Sequence, residues 1–162
     1  MNELGHWLAG LTVCAAVGAG TIGGAFFAFS SFVMRALEQL PPREGAAAMR
    51  RINVVVINPM FLGAFLGTAV ACAALVVTGI VRWDEPAGWW LMAGGATYLL
   101  GTFAVTMFSN VPLNEALAKV TADDPELPRK WNDYVRRWSR WNHVRTIAAL
   151  ASAASLMVAL RR

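Results

Sequence analysis

The chain has 162 residues, of which 57% are hydrophobic and 15% charged, with a formal net charge of +4. Soluble domains carry about a quarter charged residues, so this composition excludes an ordinary soluble globule, and the mean hydropathy of +0.48 agrees. The length holds one domain, residues 1–162. The basic excess comes with no nucleic-acid motif, and basic loops facing anionic lipid account for it.

Charge is absent from three long windows: between Glu3 and Arg35, between Arg51 and Arg82, and between Glu85 and Glu115. Each exceeds the roughly 20 residues a spanning helix needs. The first predicted span, about Trp7 to Met34, is too long for a cleavable signal and has no basic n-region. Its Gly20 and Gly24 have the spacing that lets helices approach closely, and such Gly-rich faces suit a homo-oligomer. Phe26, Phe27, Phe29 and Phe32 follow, with Ser30 and Ser31 among them. Cys14 in this span and Cys72 in the next read as core packing. Two cysteines without clustered histidines make neither a disulfide framework nor a zinc site.

Pro41-Pro42 ends the first helix or its extension. Residues 43–57 form a short basic segment, predicted helical, with Arg50, Arg51 and Asn53. Asn58-Pro59 reads as an N-cap followed by proline at the first helical position. It opens a second span from Pro59 to Val81, with Gly63 and Gly67 four apart. Asn53 has no capping duty and is a site candidate. Arg82 to Gly88 is a short turn between antiparallel neighbours, and Trp83, Trp89 and Trp90 mark a membrane interface. The third span runs from about Trp89 to Ser109. Its stripe of Tyr98, Thr102 and Thr106 serves backbone carbonyls, a neighbouring helix or a polar cavity. Asn110 reads as the cap of a new helix, with Pro112 in its first turn.

Trp131, Trp138 and Arg145 recur every seven residues, with Tyr134, Trp141 and Asn142 between them. At about 3.6 residues per turn these six share one helix face. Arg129, Asp133, Arg136, Arg137 and Arg140 crowd the other. The segment reads as a basic aromatic helix lying at, or rising into, a membrane surface. After it, Thr146 to Leu160 is an uncharged stretch of 15 residues, about 22 Å of helix against a hydrocarbon core of about 30 Å. A fourth span must therefore draw Asn142, His143 or Arg145 into the membrane edge, where ionisable groups mark function. The plainer alternative is an Arg145 that snorkels to the headgroups, as Arg161 and Arg162 do.

The expected fold is all-α: a four-transmembrane-helix up-and-down bundle with interfacial amphipathic helical segments in the first and third loops. Eleven lysines and arginines fall in residues 35–51 and 110–145, against Arg82, Arg161 and Arg162 elsewhere. The positive-inside rule then gives a multi-pass inner-membrane protein, with loops 35–58 and 110–141 cytoplasmic and both termini outside.

That topology gathers Asn53, Asn58, Asn110, Asn114, Trp138, Trp141, Asn142, His143 and Arg145 at one end. Amides, a cation and flat aromatic walls suit a planar phenolic or polyoxygenated ligand. At these residues the sequence resembles the anthrone oxygenase-like integral membrane proteins. The resemblance rests on Gly-Gly-Ala-Phe-Phe-Ala-Phe-Ser-Ser-Phe-Val-Met (Gly23 to Met34), Ile52-Asn53, Asn58-Pro59, Asn110-Val-Pro-Leu-Asn114 and Trp138-Ser-Arg-Trp-Asn-His-Val-Arg145, and it covers most of the chain. Fungal members oxidise an anthrone to an anthraquinone with dioxygen. The resemblance thus implies a small apolar aromatic substrate drawn from the lipid bilayer.

An anthrone has an acidic carbon beside a ketone, and its carbanion gives an electron to dioxygen directly. That chemistry needs a base, donors for the enolate oxygen and a dry aromatic pocket, with no metal or flavin. Asn110, Asn114 and Asn142 are candidate donors, Arg145 the charge stabiliser and His143 the base by type. Asn53, Trp138 and Trp141 are candidate pocket walls. On a continuous helix His143 points roughly 160° away from Arg145. Both reach one pocket only if the helix breaks near Trp141 or the pocket wraps around it. No cofactor is expected, because His6 and His143 lie at opposite ends and the spans lack Asp and Glu; haem with His143 as axial ligand is left open. The alternative is a non-catalytic membrane protein binding a lipid, quinone or haem, or serving as a partner subunit. The absence of an inverted repeat argues against a transporter.

Overall fold

The computed structural model describes residues 3–162, and these are all-helical. They form five continuous rods. Rod α1 begins as the α-helix Glu3–Ala28, widens into a π-helical stretch over Phe29–Val33 and closes as Met34–Glu38. Rods α2 and α3 are Pro42–Val55 and Pro59–Val81. Rod α4 runs Pro86–Ala118, with π-helical stretches over Tyr98–Ala104 and Thr106–Asn110. Rod α5 is the uninterrupted helix Leu127–Ala159.

Local chemistry sets the starts. Pro42, Pro59, Pro86 and Pro128 each sit in a first turn, where a missing N–H costs nothing. Asn58 caps α3 by accepting the Phe61 N–H at 3.0 Å, as the Asn-Pro pair predicts. The Asn110 expectation fails. Asn110 keeps helical angles (φ −75°, ψ −42°) and makes no side-chain cap bond. The helix does not restart there, because the π turn over Thr106–Asn110 gives Pro112 room inside a continuing rod. The third loop accordingly holds no separate amphipathic helices. Val111–Ala118 extends α4, and the basic aromatic segment is the first half of α5.

Rods α1, α3 and α4 are long and apolar enough to cross a membrane, spanning Gly5–Glu38, Pro59–Val81 and Pro86–Ala118. Rod α5 falls outside that group, since its polar first half and inward polar residues dilute its hydropathy. It packs against α1 and α4, while α3 packs against α4 and α1.

Two apolar cores result. The larger joins Ile22 and Phe26 of α1, Phe65 and Leu75 of α3, Tyr98 of α4 and Leu156 of α5. The smaller, at the α2 end, joins Met34 and Leu37 of α1, Met49 of α2, Leu117 of α4 and Trp131, Tyr134 and Trp138 of α5. Between them lies a buried polar layer: Thr102, Asn110, Asn142, Arg145 and Thr146. The glycine pairs expected to bring helices together do not do so within the chain. A Cβ on Gly20, Gly24, Gly63 or Gly67 would meet nothing within 4 Å. Close approach occurs at Gly95 instead, where a Cβ would lie 2.6 Å from the Cys72 carbonyl oxygen.

Candidate functional site

The polar layer is where the π-helical stretches of α1 and α4 face α5. Widened turns of this kind concentrate at functional positions. Rod α1 supplies Phe26 and Ser30, α4 supplies Thr102, Thr106 and Asn110, and α5 supplies Trp138, Asn142, His143, Arg145 and Thr146.

Asn142 is fully buried. Its Nδ2 donates to the Phe26 carbonyl oxygen and to Ser30 Oγ, both at 2.8 Å. Its Oδ1 accepts from Arg145 Nε at 3.0 Å and Nη2 at 2.9 Å. Arg145 is 6% exposed. Its guanidinium lies 3.8 Å from the centroid of the Phe26 ring and 4.9 Å from that of Trp138. Arg145 Nη1 donates to Thr106 Oγ1 at 3.3 Å. Among the described residues no carboxylate pairs with it. The cation is thus held by neutral oxygens and two aromatic faces, an arrangement that arginine's planar fork allows. Thr102 Oγ1 fixes the same turn by donating to the Arg145 carbonyl oxygen at 3.2 Å.

The helix does not break near Trp141, so His143 heads away from Arg145 and is exposed. The two are nevertheless connected. His143 Nδ1 lies 2.9 Å from Ser30 Oγ, and Ser30 accepts from Asn142. Ser30 is the hub that the sequence left unassigned. The available signal was a serine one turn after Phe26 in an apolar span.

The other expected residues divide. Asn110 is fully buried and donates from Nδ2 to the Trp138 carbonyl oxygen at 3.2 Å, while its Oδ1 has no partner. Trp138 Nε1 and Asn53 Nδ2 are likewise buried without partners. Asn114 Oδ1 accepts from the Tyr134 hydroxyl at 2.9 Å. Burial pushes that hydroxyl above the usual phenol range. Trp131, Tyr134 and Trp138 form one stack, with Phe29 tilted against Trp138 at 5.4 Å. Trp141 stands apart from this group at 42% exposed. It lies about 60° around the helix from Trp138, enough to turn it out of the interface.

Two clefts flank the layer. One, of about 450 Å³, opens between α1 and α5. Phe29, Met34 and Val135 give it apolar walls, and Ser30, Arg35, Glu38, Asn132, Arg136, Ser139 and His143 its polar groups. The other, of about 380 Å³, lies between the end of α4 and the start of α5, with Leu113, Leu117, Lys119, Lys130, Tyr134 and Arg137 among its walls. Asn142 and Arg145 line neither. They meet each other through their own bonds, and the open volume lies one residue away, beyond Ser30. Among the described residues no three metal-ligating side chains cluster. The arrangement therefore offers a fixed, unpaired buried cation behind a cleft with an imidazole on its wall.

A family model described as anthrone oxygenase matches residues 58–155. That stretch takes in α3, α4 and the part of α5 that carries Trp138 through Arg145. No curated protein and no solved structure matches. Since the match extends over more than half of the chain, the protein belongs to the anthrone oxygenase family.

Proposed function

We propose that the protein is a four-span, membrane-embedded oxygenase that converts the acidic methylene of a flat aromatic ketone to a carbonyl. The observation that carries this reading is the connection from the His143 imidazole, on the wall of the α1–α5 cleft, through Ser30 and Asn142 to the unpaired Arg145.

The fourth span is supported by the outward face of α5. Arg136, Arg137 and Arg140 are exposed before Trp141; Trp141, Val144, Ile147, Leu150 and Met157 are exposed after it. From Trp141 to the helix end is about 20 residues, or roughly 30 Å, which matches the hydrocarbon core. Turning Arg145 inward removes the one charge that shortens the uncharged stretch. The excess of basic residues at the α2 end supports a cytoplasmic orientation of that end. The cleft then opens at the membrane–water boundary, where an apolar substrate with polar edges partitions.

In this reading His143 takes a proton from the substrate methylene. The enolate oxygen meets Arg35 on the α1 wall or Arg136 on the α5 wall of the cleft, with the Arg145 charge behind. The carbanion passes one electron to dioxygen, and the radical pair combines to a carbon-bound peroxide anion. His143 returns its proton to that peroxide. Loss of the second C–H proton with cleavage of the O–O bond gives the ketone and one water. One dioxygen is consumed per carbonyl formed.

The test is purified protein with an anthrone, following quinone absorbance and oxygen uptake together. The expected result is one oxygen per quinone, with loss of turnover in Asn142→Ala and Arg145→Ala. A wild type no faster than buffer, and equal to both variants, overturns the enzyme reading. It leaves a binder of lipid, quinone or haem.

A further inference from the structure

We propose that Ser30 is a positioning residue for His143. It holds the imidazole as the Nδ1–H tautomer and so leaves Nε2 unprotonated on a ring that lines the α1–α5 cleft. This rests on the oxygenase reading for its consequence, but the tautomer rests only on the hydrogen-bond roles around Ser30, with its hydroxyl hydrogen assigned to Thr146.

The count begins at Arg145. A guanidinium only donates, so the Asn142 atom facing Arg145 Nε and Nη2 is the amide oxygen. The amide is thereby oriented, and the atom 2.8 Å from Ser30 Oγ is Nδ2, which also only donates. Ser30 therefore accepts from Asn142. The Thr146 hydroxyl hydrogen is committed to the Asn142 carbonyl oxygen at 2.7 Å. The 3.2 Å contact between Ser30 Oγ and Thr146 Oγ1 is then a hydrogen bond only with Ser30 as the donor, and the Ser30 hydrogen is assigned there. With that hydrogen spent, Ser30 meets His143 Nδ1 at 2.9 Å only as an acceptor. The proton of the neutral imidazole sits on Nδ1, and Nε2 keeps its lone pair.

The buried cation thus has a structural consequence three groups away. Arg145 orients Asn142, Asn142 makes Ser30 an acceptor, and Ser30 selects the tautomer. The charged groups sharing the cleft with the ring are Arg35 and Glu38 from α1 and Arg136 from α5. None of them is needed for the assignment. The placement assigns the acidic carbon of the substrate to the cleft, within reach of Nε2.

The chain has two histidines, so in a His6→Gln background the imidazole signal comes from His143 alone. Nitrogen-15 NMR of that full-length protein in detergent, at a pH where the ring is neutral, reads the tautomer directly. The expected spectrum has Nδ1 protonated and Nε2 bare. Ser30→Ala loses that bias, and Ser30→Thr keeps it. With an anthrone, Ser30→Ala lowers kcat about 10- to 100-fold with little change in KM, within the range of a mispositioned general base, and Ser30→Thr restores most of it. A protonated Nε2 in the unsubstituted Ser30 protein overturns the inference without reference to any variant. So does a Ser30→Ala protein with an unchanged spectrum and unchanged kcat. If no anthrone is turned over, the oxygenase reading fails, and the spectrum still decides the tautomer.

Discussion

Asn142 Oδ1 accepts from both Nε and Nη2 of Arg145, at 3.0 and 2.9 Å, across less than one turn of the same helix. The amide does for the cation what a carboxylate does elsewhere, but without neutralising it. The layer therefore keeps a net positive charge in an apolar bundle. Such a charge is expensive to bury, and its retention points to use.

Removing the amide leaves the guanidinium on Thr106 and two rings. Asn142→Ala is expected to destabilise the protein by about 3–5 kcal/mol, since it orphans a buried charge. Arg145→Lys also loses function, because an ammonium lacks the fork and stacks poorly on Phe26 and Trp138. The double variant Asn142→Leu with Arg145→Met recovers most of the stability and none of the turnover. Thermal unfolding in detergent beside the anthrone assay checks all three. A double variant less stable than Asn142→Ala alone contradicts the argument.

The two neighbouring tryptophans are expected to behave differently. Trp138 is 3% exposed and wedged between Phe29 and Tyr134, so Trp138→Ala costs about 3–5 kcal/mol. Trp141 faces outward, and Trp141→Ala costs under about 1 kcal/mol. Its fluorescence is expected to be quenched by lipids brominated near the headgroup more than by those brominated at the chain end. Deep quenching moves the membrane boundary off Trp141 and removes the argument for a fourth span that starts there.

Helix contact is expected to fail at Gly95 and not at the glycine pairs. Gly95→Ala sets a Cβ 2.6 Å from a backbone carbonyl of α3, forcing α3 and α4 apart at about 1–3 kcal/mol. Gly63→Ala meets nothing within 4 Å and is neutral or slightly stabilising through better helix propensity. Melting temperatures of the two variants in one detergent give the comparison.

Alkaline pH acts on the wall of the aromatic stack. Burial raises the Tyr134 hydroxyl above its ordinary value, so the folded state holds that proton more tightly than the unfolded one. The associated stability is fully present below about pH 10, the unfolded value, and is lost as pH rises beyond it. Tyr134→Phe loses the bond to Asn114 at neutral pH, yet its alkaline unfolding is expected at higher pH than in the parent. Equal alkaline midpoints count against a buried hydroxyl.

Much of the bundle was legible in the sequence. Charge-free windows located α1, α3 and α4, because a helix surrounded by lipid or apolar neighbours has no cheap place for a charge. Asn58-Pro59 and Val81-Arg82 bounded α3, because a cap and a terminal polar residue act locally. Heptad spacing also put Trp131, Tyr134, Trp138, Asn142 and Arg145 on one helix face, without saying what that face meets.

Other features needed the neighbours. Asn110 looks the same in sequence whether it caps a helix or enters a core, and only the α4–α5 contact decides. Trp141 sat at the margin of its arc, where a few tens of degrees separate buried from exposed. Averaged hydropathy hid α5 because it counts residues without regard to face.

The sequence by itself determined which residues are helical, which end is basic and which side chains belong to the family pattern, since those depend on local propensity and composition. Tertiary structure alone decided that Arg145 points inward, that Ser30 joins it to His143 and that the open cleft lies beside the cation. Each of those requires knowing which helix stands opposite, and residues 112 or more apart in the chain meet there.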